Sequence, residues 1–490
     1  MRPILILHRY LGVVMGLLMT LWCLSGFVMM YQSYPDLTQQ ERLQGLEPLR
    51  LDDCCDPAKL DIADDELIDN FRVEMLAGRP VLRIPRDFGP SDILDLRTGK
   101  PVGEITPDTA LAVAKTYGRG NGVAGTPRYL GPVMQDQWTL LGGGRHQPIH
   151  HFAFDDPKGT ELYVSSVTGE AFQDTNRRER VLTWMGAIPH WLYPTVLRQN
   201  GKLWSQVVIW SSVVGTFLTV TGLYVGISRL RARKGRWSPY GGIWLWHHLA
   251  GLFFGILTLS WVASGLMTMN PWGLLESQDP GEYSQKLAGD IHGADVKRLL
   301  AVAPRLVGDR VELLQAAPLG GKLYLAAVGP DGPLNRIDAT GARADLTLAD
   351  VASALSHVGA PVAGLTRLTE EDDFYYGHHD TVRLPVYRAI LGDVQQTRLY
   401  IDAVTGRTLR TLDKPSRASR WVRSGLHGMD FAGLRNRPIW DLVVLPLLAG
   451  VTLVCATGLW MGLLRIGRDV RAIRFALKPR EARQRRVTTS

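Results

Sequence analysis

The chain alternates four long uncharged apolar runs with much longer polar stretches. The runs occupy positions 11–31, 203–228, 243–269 and 442–464. Each reaches the roughly 20 residues that an α-helix needs to cross the hydrocarbon layer of a bilayer. This pattern predicts four transmembrane helices and excludes a purely soluble protein.

The basic residues are concentrated beside the apolar runs. They cluster near the N-terminus, in the short loop 229–242 and after position 464, whereas the two large polar stretches together carry a slight acidic excess. Because Lys and Arg are enriched in cytoplasmic loops, these three segments are expected to face the cytoplasm. In a bacterium, this topology means the inner membrane with two periplasmic domains. The net charge of +8 therefore reflects membrane orientation, and nucleic acid is not an expected partner.

These observations divide the chain into eight segments. The predicted segments are transmembrane helix 1 (1–31), a first periplasmic domain (32–202), transmembrane helix 2 (203–228), a basic cytoplasmic loop (229–242), transmembrane helix 3 (243–270), a second periplasmic domain (271–437), transmembrane helix 4 (438–464) and a basic cytoplasmic tail (465–490).

The second half of the chain repeats the first. HRYLGVVMGLLMTLWCLSG (8–26) aligns with HHLAGLFFGILTLSWVASG (247–265), LYVSSVTGE (162–170) with LYIDAVTGR (399–407), and Thr-Gly-Leu at 221–223 with the same tripeptide at 457–459. Repeats at a fixed offset indicate a duplicated unit. Since both halves begin and end inside, they are expected to run parallel and to be related by a pseudo-two-fold axis along the membrane normal. The fold class predicted is one bundle of four transmembrane helices.

Each periplasmic domain reads as a small α+β module. A capping hydroxyl opens a helix at Thr106 and again at Thr347. Strand-like alternation follows in DQWTLL, IHHFAF and ELYVSS of the first domain, and in DDFYY, PVYRAIL and TRLYID of the second. The last strand of each domain ends in Val-Thr-Gly, where Gly169 or Gly406 is expected to supply a positive φ.

Two histidines near the cytoplasmic ends of spans 1 and 3 head the same pattern. His8 and His247 each begin His-x₃-Gly-x₃-Gly. Positions i, i+4 and i+8 share one helix face, so each imidazole lies above a strip without side chains, where a flat macrocycle could rest. Two such helices could offer one imidazole to each side of a haem iron. The alternative is a pair of interface histidines whose glycines only allow close helix packing.

His248 competes with His247 as the ligand on span 3. The two residues are adjacent and lie on different helix faces. The spacing to Gly251 and Gly255, together with the match to His8, favours His247.

His190 and His427 form a second matching pair. Each is the sixth residue after a Trp, within the flanks WMGAIPHWLYP and WVRSGLHGMDF. These flanks are typical of membrane-surface segments with aromatic anchors. The residues alone leave two readings open, a second bis-His haem near the periplasmic face or surface histidines in an amphipathic segment. Cys-x-x-Cys-His is absent from the sequence, which excludes covalent c-type haem attachment.

The first-span motif, the paired Thr-Gly strand ends and the duplicated halves resemble the PepSY-associated transmembrane family over essentially the whole chain. That family includes iron-regulated inner-membrane proteins and ferric-siderophore reductases. The resemblance implies two PepSY-like periplasmic domains and two haem b groups, ligated by the histidines at the matching positions. Those positions are His8, His247, His190 and His427.

The resemblance also implies a function. Electrons would pass from a cytoplasmic or quinol donor to a periplasmic ferric siderophore or similar chelate, and membrane lipid would surround the bundle. Reduction to Fe²⁺ weakens coordination by hard oxygen ligands and so releases the iron. The alternative is a haem-free PepSY-domain protein that binds or regulates peptides, proteases or envelope partners.

Overall fold

The computed structural model describes residues 2–52, 54–86, 91–230, 237–278, 281–305, 308, 310–377 and 382–476. The chain forms two compact units. The first, here called the helical unit, contains Met1–Tyr34, Leu182–Leu274 and Ser419–Ser490. The second, here called the strand unit, contains Pro35–Val181 and Leu275–Ala418.

The elements follow one another in a similar order in the two halves. The first half contains α1 (Arg2–Met29), α2 (Gln39–Gln44), β1 (Arg72–Leu76), β2 (Arg79–Ile84), β3 (Asp92–Asp95), α3 (Pro107–Gly120), β4 (Pro127–Val133), β5 (Ile149–Phe154), β6 (Glu161–Ser165), β7 (Ala171–Thr175), α4 (Arg177–Met185), α5 (Ala187–His190), α6 (Thr195–Arg198) and α7 (Gly201–Ser228). The second half contains α8 (Ile243–Thr268), α9 (Glu282–Ala288), α10 (Gly293–Val302), β8 (Leu313–Ala316), β9 (Leu325–Gly329), β10 (Gly332–Ile337), α11 (Leu348–Leu355), β11 (Val362–Leu368), β12 (Val386–Leu391), β13 (Arg398–Asp402), β14 (Thr408–Leu412), α12 (Lys414–Arg420) and α13 (Ile439–Ala476).

Four helices of the helical unit are long and apolar enough to cross a membrane. The candidate spans are Pro3–Met29, Gly201–Ser228, Ile243–Thr268 and Ile439–Ala472. They confirm the four transmembrane helices predicted from the apolar runs. The last helix continues beyond the predicted end at 464, because the helical backbone extends through the first basic residues of the tail.

The four long helices pack around a common apolar centre. Helix α1 contacts α7 and α13, and α8 contacts the same two helices. Met15, Met19, Leu218 and Val451 are buried there. The Sγ atom of Cys455 on α13 lies in the same cluster, beside the Cys23 thiol on α1. The outward faces carry exposed apolar side chains, as expected for helices that contact lipid.

The strands of the strand unit form three antiparallel sheets. One has the order β10-β9-β8-β1-β2-β3, and the other two are β4-β5-β6-β7 and β11-β12-β13-β14. Strands β5, β6, β12 and β13 confirm four of the predicted strands. Both predicted helix starts are also confirmed. Oγ1 of Thr106 accepts a hydrogen bond from the amide of Thr109, and Thr347 forms a capping box with Asp350.

Two predicted strands are wrong. Segments 136–141 and 372–376 form bends and turns. In each, an aspartate near the start accepts hydrogen bonds from the main-chain amides two and three residues later, as Asp136 does from Trp138 and Thr139. Asp372 does the same in the second half. These local bonds compete with pairing to a neighbouring strand.

The two large polar stretches are not separate in the structure. Strand β1 pairs with β8, with Arg72 opposite Gln315 and Val73 opposite Leu314. The segments expected as domains 32–202 and 271–437 therefore share one six-stranded sheet. Its apolar face forms a single core with side chains from both segments. Cys54 and Cys55, joined by a disulfide, pack against this core.

Candidate functional site

The structure brings His8 and His247 together inside the helical unit. His8 lies on α1 and His247 on α8, and the centroids of their imidazole rings are 6.4 Å apart. The ring planes make an angle of 34°. The first pair of candidate ligands is therefore a facing pair on two different spans.

His190 and His427 form the second facing pair. Their ring centroids are 6.1 Å apart, with an angle of 56° between the planes. His190 ends the short helix α5, and His427 ends the π-helical turns Trp421–His427. Burial, and then the neighbouring His427, lower the pKa of His190 to about 4. Burial also lowers the pKa of His427. Both rings are therefore neutral at pH 7, which is the form that ligates metals.

All four rings are held by the same arrangement of acceptors. In each case Nδ1 lies within hydrogen-bonding distance of a main-chain oxygen and of the hydroxyl three residues later on the same helix. The contacts are His8 with the Leu218 oxygen (3.2 Å) and Thr221 Oγ1 (3.4 Å), His247 with the Val454 oxygen (3.1 Å) and Thr457 Oγ1 (3.1 Å), His190 with the Trp22 oxygen (3.1 Å) and Ser25 Oγ (3.2 Å), and His427 with the Trp261 oxygen (3.1 Å) and Ser264 Oγ (3.3 Å).

This arrangement assigns the tautomer of each ring. A carbonyl oxygen only accepts, so Nδ1 carries the hydrogen and donates it. Nε2 then keeps its lone pair, and no hydrogen-bond partner for Nε2 of these four rings is found among the residues that the structure describes. A donor bond from one ring nitrogen to a main-chain oxygen is the usual way in which a protein orients a ligating imidazole.

A glycine follows each of the four hydroxyl residues, and three of these glycines touch the ring. A Cβ added at Gly222 would lie 2.7 Å from Cε1 of His8. One at Gly458 would lie 3.1 Å from Cε1 of His247, and one at Gly265 the same distance from Cε1 of His427. Gly26 is the exception, because Leu448 is its nearest neighbour. These hydroxyl-glycine dipeptides lie within the repeats shared by the two halves of the chain, but the sequence alone assigned them no role. Their duplication was the signal that could have identified them.

The glycine strips below His8 and His247 are shorter than expected. A Cβ at Gly12 or at Gly251 would meet nothing within 4 Å, so the first glycine of each motif does face open space. The second glycines are packed. A Cβ at Gly16 would lie 3.2 Å from Cα of Leu459, and one at Gly255 would lie 2.5 Å from a methyl group of Leu223. The prediction that both glycines leave a free strip is therefore wrong for the second glycine of each motif.

His248 has no free ring nitrogen. Its Nδ1 lies 2.8 Å from Oγ of Ser238, and its Nε2 lies 2.9 Å from the main-chain oxygen of Gly226. Because a main-chain oxygen only accepts, Nε2 carries the hydrogen and donates a hydrogen bond to the Gly226 oxygen. Nδ1 therefore accepts a hydrogen bond from the Ser238 hydroxyl. This residue ties α8 to the end of α7 and lies outside both facing pairs.

The sequence was also compared with known proteins. A profile of the PepSY-associated TM region matches residues 5–465. The chain belongs to this family. No curated protein matches it. All four facing histidines lie within the matched range, and the four apolar helices agree with a family defined by its membrane region.

The two facing pairs of this PepSY-associated chain have a spacing that fits a haem iron between two imidazoles. Among the described residues, no group of three or more His, Cys, Asp or Glu side chains is arranged to hold an ion. A haem iron needs only two axial ligands from the protein. Two metal–nitrogen bonds of about 2 Å each, with the ring centres lying beyond the nitrogens, give a centroid separation of about 6 Å. Both pairs have this separation.

Proposed function

We propose that the protein is an inner-membrane haem b oxidoreductase that carries electrons from the cytoplasmic side to a periplasmic ferric chelate such as a ferric siderophore. The observation that supports this proposal is the two facing imidazole pairs, in which every Nδ1 is engaged and no Nε2 has a hydrogen-bond partner among the described residues. His8 and His247 would hold one haem, and His190 and His427 the other. Haem b between two imidazoles supplies one-electron redox chemistry.

The surrounding residues prepare each imidazole for ligation. The main-chain oxygens of Leu218, Val454, Trp22 and Trp261 hold the hydrogen on Nδ1 and fix the orientation of the rings. At three of the four rings, the adjacent glycine (Gly222, Gly458 or Gly265) allows the ring to lie against the helix. Between residues 8 and 22, α1 rises by about 20 Å. The two pairs are thus at different levels along the spans, as required for passing electrons across a bilayer.

The duplication suggests the symmetry of the bundle. We propose a pseudo-two-fold axis along the membrane normal that exchanges α1 with α8 and α7 with α13. Equivalent contacts support this, because His8 rests on the Thr-Gly dipeptide of α7 and His247 on that of α13. The basic residues of loop 229–242 and of the tail favour a cytoplasmic location for these segments and a periplasmic location for the strand unit.

Haem content tests the proposal directly. Protein purified in detergent is examined by absorption spectroscopy, air-oxidised and then dithionite-reduced, and by a pyridine haemochrome assay. About two haem b groups per chain are expected. His8→Ala and His190→Ala should each lose about one. His248→Ala is the matched control and should keep both, because His248 uses both nitrogens in protein contacts.

Two outcomes would contradict the proposal. One is a colourless protein after expression with ample haem supply, which would favour the haem-free PepSY-domain protein that binds or regulates envelope partners. The other is equal haem loss from His248→Ala and His247→Ala, which would show that pairing does not decide ligation. If haem is present, reoxidation of the reduced protein by an added ferric chelate, with Fe²⁺ captured by a coloured chelator, tests the acceptor. Each ferrous haem that is oxidised gives up one electron, which reduces one Fe³⁺ of the chelate to Fe²⁺.

A further inference from the structure

The strand unit contains a cavity where the two large segments meet. Its volume is about 210 Å³, and it lies beside the paired strands β1 and β8. Four arginines line it, two from each segment. They are Arg42 on α2, Arg72 on β1, Arg383 just before β12 and Arg407 just before β14. No carboxylate lines this cavity among the residues that the structure describes.

The carboxylates nearest to these arginines are too few to balance them. Arg42 and Arg72 both form ion pairs with Glu74 and Glu170. Arg83 also pairs with Glu74, so three guanidinium groups share two carboxylates. In the second segment, Arg383 pairs with Asp402 at 3.2 Å.

Arg407 is the fourth arginine that lines the cavity. Its Nη1 donates a hydrogen bond to Oε1 of Gln315 at 2.6 Å, and it forms no ion pair within the part of the chain that the structure describes. Burial lowers the pKa of Arg407. Asp402 opposes that effect, and the guanidinium groups of Arg383 and Arg72 lower the pKa further. A largely buried cation surrounded by other cations is costly unless an anion compensates it.

We propose that this cavity binds a small anion carrying two or three carboxylate groups. A guanidinium presents a planar fork of donors that matches a carboxylate in two parallel hydrogen bonds. Four arginines line one cavity, Arg42 and Arg72 from the first segment and Arg383 and Arg407 from the second, and this number calls for more than one such group. The volume is below the range of pockets for drug-sized ligands, which selects a compact anion. The amide side chains of Gln39, Asn70 and Gln315 offer further polar contacts.

The position of the cavity gives the anion a structural effect as well. Its lining comes from both sides of the β1–β8 pairing, so a bound polycarboxylate would join the two large segments by charge-assisted hydrogen bonds. This inference does not depend on haem. It concerns residues of the strand unit only, whereas the proposed haem ligands all belong to the helical unit.

Titration calorimetry on the full-length protein in detergent tests the inference. Metal-free citrate is the probe, and acetate at the same ionic strength is the monocarboxylate comparison. Citrate is expected to bind saturably, one per chain, and at least tenfold more tightly than acetate. Arg407→Gln should weaken citrate binding at least tenfold. Arg128→Gln, an exposed arginine on β4 outside the cavity, is the control and should bind like the wild type.

Three results would overturn the inference. They are an absence of citrate binding to the wild-type protein, equal binding of acetate and citrate, or a folded Arg407→Gln protein that binds citrate normally. If Arg407→Gln does not fold, Arg383→Gln replaces it, since the Arg383 side chain is 33 % exposed. The haem spectrum is recorded on the same samples. Citrate binding by a colourless protein would refute the haem proposal alone, and haem without citrate binding would refute this inference alone.

Discussion

Gly222 offers a sharp test of how the first imidazole pair is held. This residue lies on α7 directly beneath His8, and a Cβ there would be 2.7 Å from Cε1 of the ring. Ordinary carbon contacts begin near about 3.5 Å, so Gly222→Ala should push the ring away by about 0.8 Å. Ligand positions at a metal site are set within about 0.2 Å. We therefore expect this substitution to abolish ligation at the first pair.

The haem content per chain measures the effect. If the protein holds the two proposed haem groups, Gly222→Ala should lower the haem content from about two per chain to about one. The remaining haem would then lie at the second pair. Gly458→Ala requires a smaller shift, because its Cβ would lie 3.1 Å from Cε1 of His247, and it should retain more haem than Gly222→Ala. Gly467→Ala on α13 is the matched control, since the nearest atom to its Cβ is the end of the Arg471 side chain at 3.8 Å.

Helix propensity cannot produce the same result. Alanine is more favourable than glycine by up to about 1 kcal/mol in the interior of a helix, so the three substitutions should stabilise their helices intrinsically. A Cβ at Gly222 would meet the His8 ring, whereas a Cβ at Gly467 would meet only the end of the Arg471 side chain. Wild-type haem loading in Gly222→Ala, or a greater loss in Gly458→Ala, would refute the reasoning from these contacts.

Three further predictions concern the packing and charges of the two units. The Sγ atoms of Cys23 and Cys455 are 3.7 Å apart, so mild oxidation should crosslink α1 to α13. After proteolysis in loop 229–242, the two fragments of the oxidised protein should stay joined on a non-reducing gel. The fragments of Cys455→Ser should separate. Glu170→Gln should destabilise the strand unit by about 1.5–3 kcal/mol in urea unfolding, because it removes the charge-assisted hydrogen bonds that Arg42 and Arg72 donate to Glu170, whereas the exposed Glu282→Gln should cost less than about 1 kcal/mol. Burial would raise the pKa of Glu170, but the surrounding guanidinium groups hold that pKa below its usual range, so its stabilisation is present above the unfolded value of 4.5 and is lost as the pH falls below it. Burial, and then Glu41, raise the pKa of Asp174 from 3.8 to about 7. The ionised form of Asp174 therefore destabilises the fold, and this cost grows as the pH rises from about 4 to 7. Asp174→Asn should raise the unfolding temperature at pH 8 and raise it less at pH 5. An equal rise at both pH values would contradict this.

Features carried by short stretches of sequence could be predicted. The four spans follow from apolar length, and the helix starts at Thr106 and Thr347 follow from capping chemistry. The positive φ values of Gly169 (+70°) and Gly406 (+78°) follow from the turns that end their strands. The pairing of histidines across the bundle follows from the duplication, because two equivalent motifs in parallel repeats can face each other.

Features that depend on distant contacts could not be predicted. Nothing in the local pattern of β1 reveals that its partner is β8, in the other half of the chain. The role of His248 depends on Ser238 and Gly226, which only the packing brings to its ring. The prediction of a strand at 136–141 was wrong because the alternation of apolar and polar residues contains no information about the hydrogen bonds that Asp136 accepts from nearby amides.

The pairing of β1 with β8 also determines when the six-stranded sheet can form during biosynthesis. Strand β1 leaves the ribosome about 240 residues before β8, a delay of roughly 10–50 s at about 5–20 residues per second. Throughout that interval, the nascent chain carries an unpaired sheet edge, and two spans, α7 and α8, are synthesised before the partner strand emerges. An unpaired edge is a template for aggregation. The six-stranded sheet of this duplicated protein therefore stays incomplete, with an edge prone to aggregation, until β8 has been synthesised.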